Sequence, residues 1–182
     1  MIVLDTNVIS EAGKPVPNPI VAEWFNKQDV LELYLCGPVI MEQSFGAERF
    51  LNRTGSDRYI RALDHLISHQ FAGRVVEFAG STPRLAGKLR AMRERMGRPM
   101  SLPDAMIAAI CLAQDATLAT RNIPDFDGLD LKLVNPFEAG AWASWHFGPQ
   151  NRIAGRHAAS RHLHGHAGFL RADLARHRRG RP

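Results

Sequence analysis

Five short apolar runs separated by helix-length stretches limit what this chain of 182 residues can become. The runs are residues 1–4 (MIVL), 31–36 (LELYLC), 74–78 (RVVEF), 116–119 (ATLA) and 131–134 (LKLV). Between them, Asn18-Pro19 pairs a capping residue with a first-turn proline and predicts a helix over about 18–27. Gly37-Pro38 ends the second run and opens a helix carrying Val39, Ile40, Met41, Phe45 and Phe50. Residues 57–70 place Tyr59, Ile60, Leu63, Leu66 and Ile67 on one helical face, and 81–96 do the same with Leu85, Leu89, Met92 and Met96. Residues 102–114 are apolar nearly all round, which predicts a buried helix. Strands alternating with helices predict an α/β fold in three layers, α/β/α, around a central, mostly parallel sheet of four or five strands. Ligands of such sheets bind outside the carboxyl ends of the strands, so the polar residues just after each run carry the functional information.

Composition enters through the charge. The formal net charge is +5, but residues 141–182 hold eight arginines and one acid, a net +7. Residues 1–140 hold 15 basic and 17 acidic side chains, a net −2. The basic character therefore belongs to a tail, and it does not make the folded body a nucleic-acid binder. The expected division is a domain over 1–138 and an Arg/His-rich C-terminal extension over 139–182, expected to be poorly ordered. Four histidines of that extension, His157, His162, His164 and His166, lie close together, but no flanking Cys or acid completes a metal set. The longest apolar run, Ala105–Ala113, has nine residues, too few to span a membrane. The first residues lack the basic segment and cleavage site of a signal peptide. Two cysteines, Cys36 and Cys111, fall far short of a disulfide framework, and a cytoplasmic setting is expected.

Four positions carry candidate chemistry. Asp5 follows the first strand and projects at its carboxyl end, although Asp before Thr6 and Asn7 also suits a helix N-cap. Asp104 opens the apolar helix, where free N–H groups favour a carboxylate, but Ser101 is available as its cap. Glu42 lies three residues after Val39 and three before Phe45, beside an apolar face, where an acid is costly unless paired. Thr120-Arg121-Asn122 follows the fourth run and offers neutral oxygens, with Asp125 close behind; a simple strand-to-turn cap is the other reading. Three acids at one sheet edge would repel unless neutralised. Oxygen donors without cysteine or paired histidine favour a hard cation, Mg²⁺ or Mn²⁺, and the chemistry implied is metal-assisted phosphodiester hydrolysis.

These stretches resemble the PIN-domain family, in particular the VapC/FitB-like ribonuclease toxins of bacterial toxin–antitoxin pairs. The resemblance rests on MIVLDTNVISE, MEQSFGAER with its Glu-x-x-x-Gly spacing, GRPMSLPDAMIAAICLA and ATLATRNIPDFDGLDLKLVNPF, in that order, from residue 1 to about 138. It implies that Asp5 and Asp104 bind metal and that Glu42 is a further catalytic acid. Asn122 stands where many members carry a fourth acid, which leaves that duty to Asn122 or Asp125. Thr6, Asn7 and Thr120 are implied to face the substrate. A second departure is Leu35-Cys36-Gly37-Pro38, where relatives carry a small polar and a β-branched residue.

The implied reaction is attack of a deprotonated metal-bound water on phosphorus, leaving a 5′-phosphate and a 3′-hydroxyl. The substrates of such proteins are single-stranded regions of structured RNA, and Arg84, Lys88 and Arg95, within about 40° on one helix, are candidates for its phosphates. The resemblance also implies a homodimer and a cognate antitoxin that alone contacts operator DNA, with no membrane partner. Two other readings compete. A receiver or a haloacid-dehalogenase-like phosphatase would need a second acid near Asp5, and Asn7 stands there instead. A catalytically impaired relic that only binds antitoxin or nucleic acid would fit the odd tail, but not the intact acids.

Overall fold

The computed structural model describes residues 1–140; the four clustered histidines and the rest of 141–182 lie outside the described residues. Five strands form one sheet: β1 (Ile2–Leu4), β2 (Leu33–Cys36), β3 (Val75–Val76), β4 (Thr117–Ala119) and β5 (Lys132–Val134). Seven α-helices are described: α1 (Thr6–Ala12), α2 (Pro19–Asn26), α3 (Gly37–Thr54), α4 (Arg58–His65), α5 (Thr82–Arg95), α6 (Leu102–Ala113) and α7 (Ile123–Phe126). Every strand pair is parallel, and the order is β3-β2-β1-β4-β5. Pairing of parallel neighbours requires crossovers, and the right-handed rule puts the β1–β2–β3 connections on one face and the β3–β4–β5 connections on the other. The α/β sandwich expected from the alternation is therefore observed, with all five runs in the sheet. None of the described helices is long and apolar enough to cross a membrane.

Side-chain caps set the starts of α2 and α6. Asn18 accepts the Ile20 N–H and Pro19 follows at the first helical position of α2. Ser101, not Asp104, caps α6: its Oγ accepts the Asp104 N–H at 3.1 Å and donates to an Asp104 carboxylate oxygen at 2.5 Å. α3 starts on Gly37-Pro38 without a side-chain cap and ends at Gly55, whose φ of 70° is the left-handed conformation that closes a helix. Gly55→Ala should therefore cost about 1–2 kcal/mol, read as a lower denaturant midpoint with an unchanged slope.

Four expectations need correction in detail. The second run begins with a 3₁₀ turn (Val30–Glu32) that Asp29 caps, so β2 is shorter than 31–36. The helix expected to reach residue 70 ends at His65 and continues as a π turn, Leu66–Gln70. The helix 102–114 is not buried all round, since Leu102 is exposed. On α3, Val39 is buried but Met41 and Phe45 are exposed, so the apolar stripe read there is only partly core.

β1 lies in the middle of the sheet with Val3 and Leu4 fully buried, flanked by Leu35 of β2 and Leu118 of β4. The strand order reverses direction between β1 and β4. In an open parallel sheet this reversal leaves a crevice at the carboxyl ends, between loops that depart to opposite faces. The residues that follow β1 and β4 are Asp5 and Thr120.

Candidate active site

Asp5 is only 5% exposed and Thr120 is fully buried, so both polar groups must find partners inside the protein. They find each other. The Thr120 hydroxyl donates to Asp5 Oδ2 at 2.6 Å, and the Asn7 amide donates to the same oxygen at 2.5 Å. Asp5 Oδ1 accepts the Thr6 N–H at 2.7 Å. Asp5 is thus the N-cap of α1 and the hub of the crevice at once. The network closes on the backbone of the opposite loop: Asn7 Oδ1 accepts the Arg121 N–H at 3.1 Å, and Thr120 Oγ1 accepts the Asn122 N–H at 3.0 Å. Asn7 donating to Asp5 and accepting from Arg121 leaves one amide orientation that satisfies both ends.

The other two acids stand at the rim. Glu42, one turn and a half into α3, is half-buried and accepts a hydrogen bond from the Thr6 hydroxyl. That hydroxyl is the partner its position beside the apolar face required. Thr6 is held from behind by Gln43, whose amide donates to the Thr6 carbonyl at 3.3 Å and to Ser10 Oγ at 2.8 Å. Asp104, in the first turn of α6, is half-buried and bonded to Ser101. Burial pushes the Asp5 carboxyl above its ordinary range; the Thr120 hydroxyl and the Thr6 N–H pull it back, and the charges of Asp104 and Glu42 push it up again. The three acids therefore share one electrostatic neighbourhood.

The donor set is all oxygen. Among the described residues no three His, Cys, Asp or Glu side chains close around a single point. A hard divalent cation needs less than that, since Mg²⁺ is held by one or two carboxylates and keeps several waters. Asp5 Oδ2 already accepts two hydrogen bonds, while Oδ1 accepts only one and keeps a lone pair. The oxygen chemistry of Asp5, Asp104 and Glu42 suits such an ion, and all three lie within electrostatic reach of one another at Asp5.

The remaining expected positions separate. Asn122 is exposed and precedes α7, and Asp125 is exposed within it. What ties this segment to the core went unread in the sequence: Arg93 of α5, almost fully buried, donates to the backbone carbonyls of Asp127 (2.5 Å) and Asp125 (3.3 Å). The signal was there, because Arg93 follows Leu89 by four residues on the apolar face of α5. Cys36, at the end of β2, is fully buried, and burial pushes its thiol up to about 12, too high for a nucleophile. Arg84, Lys88 and Arg95 are all exposed on α5.

Removing the Thr120 hydroxyl tests the network directly. Thr120→Val leaves the Asn122 N–H and one Asp5 oxygen short of a partner, which should cost about 1–3 kcal/mol. A raised folded-state pKa also sets a pH dependence. Asp5's contribution to stability is complete below its ordinary value of 3.8 and is lost as pH rises through the raised value. Thr120→Val, which removes a group that lowers this pKa, moves the loss to higher pH. Thermal melts of both proteins from acid to neutral pH check it.

The chain matches the PIN domain family over residues 2–128. It is similar to toxin FitB of Neisseria gonorrhoeae, 31% identical over 137 residues, covering 75% of this chain and 99% of that one. It is also similar to the VapC ribonuclease Y4jK of Sinorhizobium fredii, 33% identical over 138 residues, with 76% and 99% covered. Among solved structures, FitAB bound to an IR36 DNA fragment superposes with a TM-score of 0.67 at 28% identity, covering 76% of this chain and 96% of that one.

Proposed function

The chain belongs to the PIN-domain family, and on that premise we propose that it is a metal-dependent endoribonuclease toxin neutralised by a cognate antitoxin. The observation that carries the reading is Asp5: a buried carboxylate at the switch point of a parallel sheet, with Glu42 and Asp104 near enough to shift its proton affinity. A site built this way is suited to collecting positive charge. Asp5 and Asp104 are the proposed metal ligands, and Mg²⁺ or Mn²⁺ fits their oxygen chemistry. When bound, the ion would polarise a phosphoryl oxygen and lower the pKa of a coordinated water.

The chain's own residues supply the rest. Thr120 and Asn7 fix the Asp5 carboxylate through Oδ2, which leaves Oδ1, bonded once by the Thr6 N–H, as the proposed metal-binding oxygen. Glu42, oriented by Thr6, is the proposed group that accepts a proton from the attacking water. Asn122 and Asp125 sit on the segment after β4 and are proposed to contact the RNA backbone or complete the ligand set, and Thr6 and Asn7 are proposed to line the approach; Thr120, which the resemblance placed against the substrate, is fully buried and acts instead by holding Asp5. The products would carry a 5′-phosphate and a 3′-hydroxyl.

The proposed nuclease domain is 1–138, with 139–182 as a basic extension. The proposed partners are RNA, the antitoxin and a second copy of the chain, with operator DNA reached only through the antitoxin, all in the cytoplasm. Relatives support these assignments by name: one is called a toxin, one a ribonuclease, and the FitAB structure holds DNA. Incubating the purified, antitoxin-free chain with end-labelled total RNA and Mg²⁺ or Mn²⁺ tests the reading. Products that disappear with EDTA support it; intact RNA with folded protein and either metal turns the weight to a binding relic.

A further inference from the structure

α3 leaves the site with an unusual outer face. Taking Glu42 as the origin and about 100° per residue, Phe45, Arg49 and Arg53 lie within about 80° of one another and of Glu42. Phe45 is 63% exposed. The Arg49 guanidinium lies 5.6 Å from the Phe45 ring centroid. Further along, Arg53 lies 5.8 Å from the Phe50 ring, and Arg58, at the start of α4, lies 4.5 Å from Phe50 and 4.7 Å from Tyr59. Tyr59 is 43% exposed and meets Phe50 edge-on at 4.7 Å.

The three guanidiniums are held by rings rather than by acids. Among the described residues none of them meets a carboxylate, whereas Arg61 beside them is paired with Asp57 at 3.0 Å. A ring orders an arginine without cancelling its charge, so the face is both organised and cationic. Gly46 lies just beyond this arc, about 20° past Arg53, and a Cβ built there would meet nothing within 4 Å. Internal packing therefore does not demand a residue that costs a helix about 1 kcal/mol, and the backbone is open to close approach from outside.

We propose that this face of α3, from Phe45 through Arg49 and Arg53 to the start of α4, is a binding track that leads single-stranded RNA to Glu42 and the acids beyond. Charge complementarity assigns a polyanion to it. The exposed ring assigns a single strand, because unstacked bases can lie on aromatic and guanidinium planes whereas a duplex keeps its bases inside. The proposal rests on the ribonuclease reading for its biological meaning, but not for its test.

The test uses the full chain in chelator, so that binding is measured without cleavage. A labelled single-stranded oligoribonucleotide and a duplex of equal length are titrated onto the parent, an Arg49→Gln/Arg53→Gln double variant and Phe45→Ala. The basic extension is present in all three and contributes equally. The double variant should bind the single strand on the order of tenfold more weakly, with a salt slope shallower by about 1.4 for two lost phosphate contacts. Phe45→Ala should weaken single-strand binding about fivefold or more and leave duplex binding nearly unchanged. In cleavage, KM should rise while kcat holds. Unchanged single-strand affinity in both variants overturns the track. So does a change of oligomeric state with RNA binding intact, which would make the face a protein interface. A parent that binds through the track but cuts nothing keeps the track and sinks the nuclease; a parent that cuts while its variants bind normally does the reverse.

Discussion

Asp5→Asn should abolish metal-dependent RNA cleavage, by about 10³-fold or more, while the protein stays folded. The size of the loss follows from removing the charge at the centre of a preorganised site; deleting even one neutral stabilising donor from such a site costs about 10²–10³. The fold survives because Asn has the shape of Asp and its one amide oxygen can still accept the Thr6 N–H that caps α1, while its NH2 meets the Thr120 hydroxyl, which can turn to accept, and the bond from the Asn7 amide is lost. The substitution also removes a buried charge that Asp104 and Glu42 oppose. The variant should therefore lose the decline in stability that the parent shows between acid and neutral pH. A divalent cation should raise the melting temperature of the parent and not that of the variant, because only the former gains a ligand on folding. Cleavage that persists in Asp5→Asn would place the chemistry elsewhere; cleavage lost together with cooperative melting would reduce Asp5 to a structural cap.

The largest expected stability effect is at Phe126. It is among the biggest fully buried side chains, and it comes from a four-residue helix that offers little cohesion of its own. The carbonyls on either side of it, those of Asp125 and Asp127, are the two that Arg93 holds. The segment after β4 is thus pinned by one ring in the core and one guanidinium beneath the backbone. Phe126→Ala empties the first of these anchors and should cost about 3–5 kcal/mol. For a chain of this size that is a fall in melting temperature of about 6–20 °C. Cleavage measured well below the new melting point should also drop if Asn122 and Asp125 matter to the reaction. A fall in stability with unchanged kcat would leave the loop out of the chemistry.

Much of this arrangement is legible in the amino-acid sequence, for identifiable reasons. Asp5 was legible because a four-residue apolar run leaves little doubt where a strand ends. Glu42 was legible because an acid beside Val39 needs a partner, although nothing in the sequence named the Thr6 hydroxyl. Asp104 was legible as an acid at a helix start with Ser101 free to cap, and the structure gives the cap to Ser101. The bond between Thr120 and Asp5 was out of reach, since it depends on β1 and β4 being neighbours, and strand order is not a local property. The exposure of Phe45 and Met41 is not legible, because periodicity reports which face is apolar, not whether anything packs against it. Arg93 is the opposite case: its place on an apolar face is legible, but the carbonyls that accept from it lie more than thirty residues away.

That dependence on strand order has a consequence in time. The oxygen that orients Asp5 belongs to a residue 115 positions later in the chain. While the protein is being made from its first residue onward, β1 has β2 to pair with long before β4 exists, and the half-sheet so formed carries Asp5 without Thr120, Asn122 or Asp104. Contacts of this separation form late, because the intervening loop must first be closed. On a ribosome, Asp5 thus waits without the hydroxyl that orients it until the chain has grown past residue 120 and β4 has joined β1.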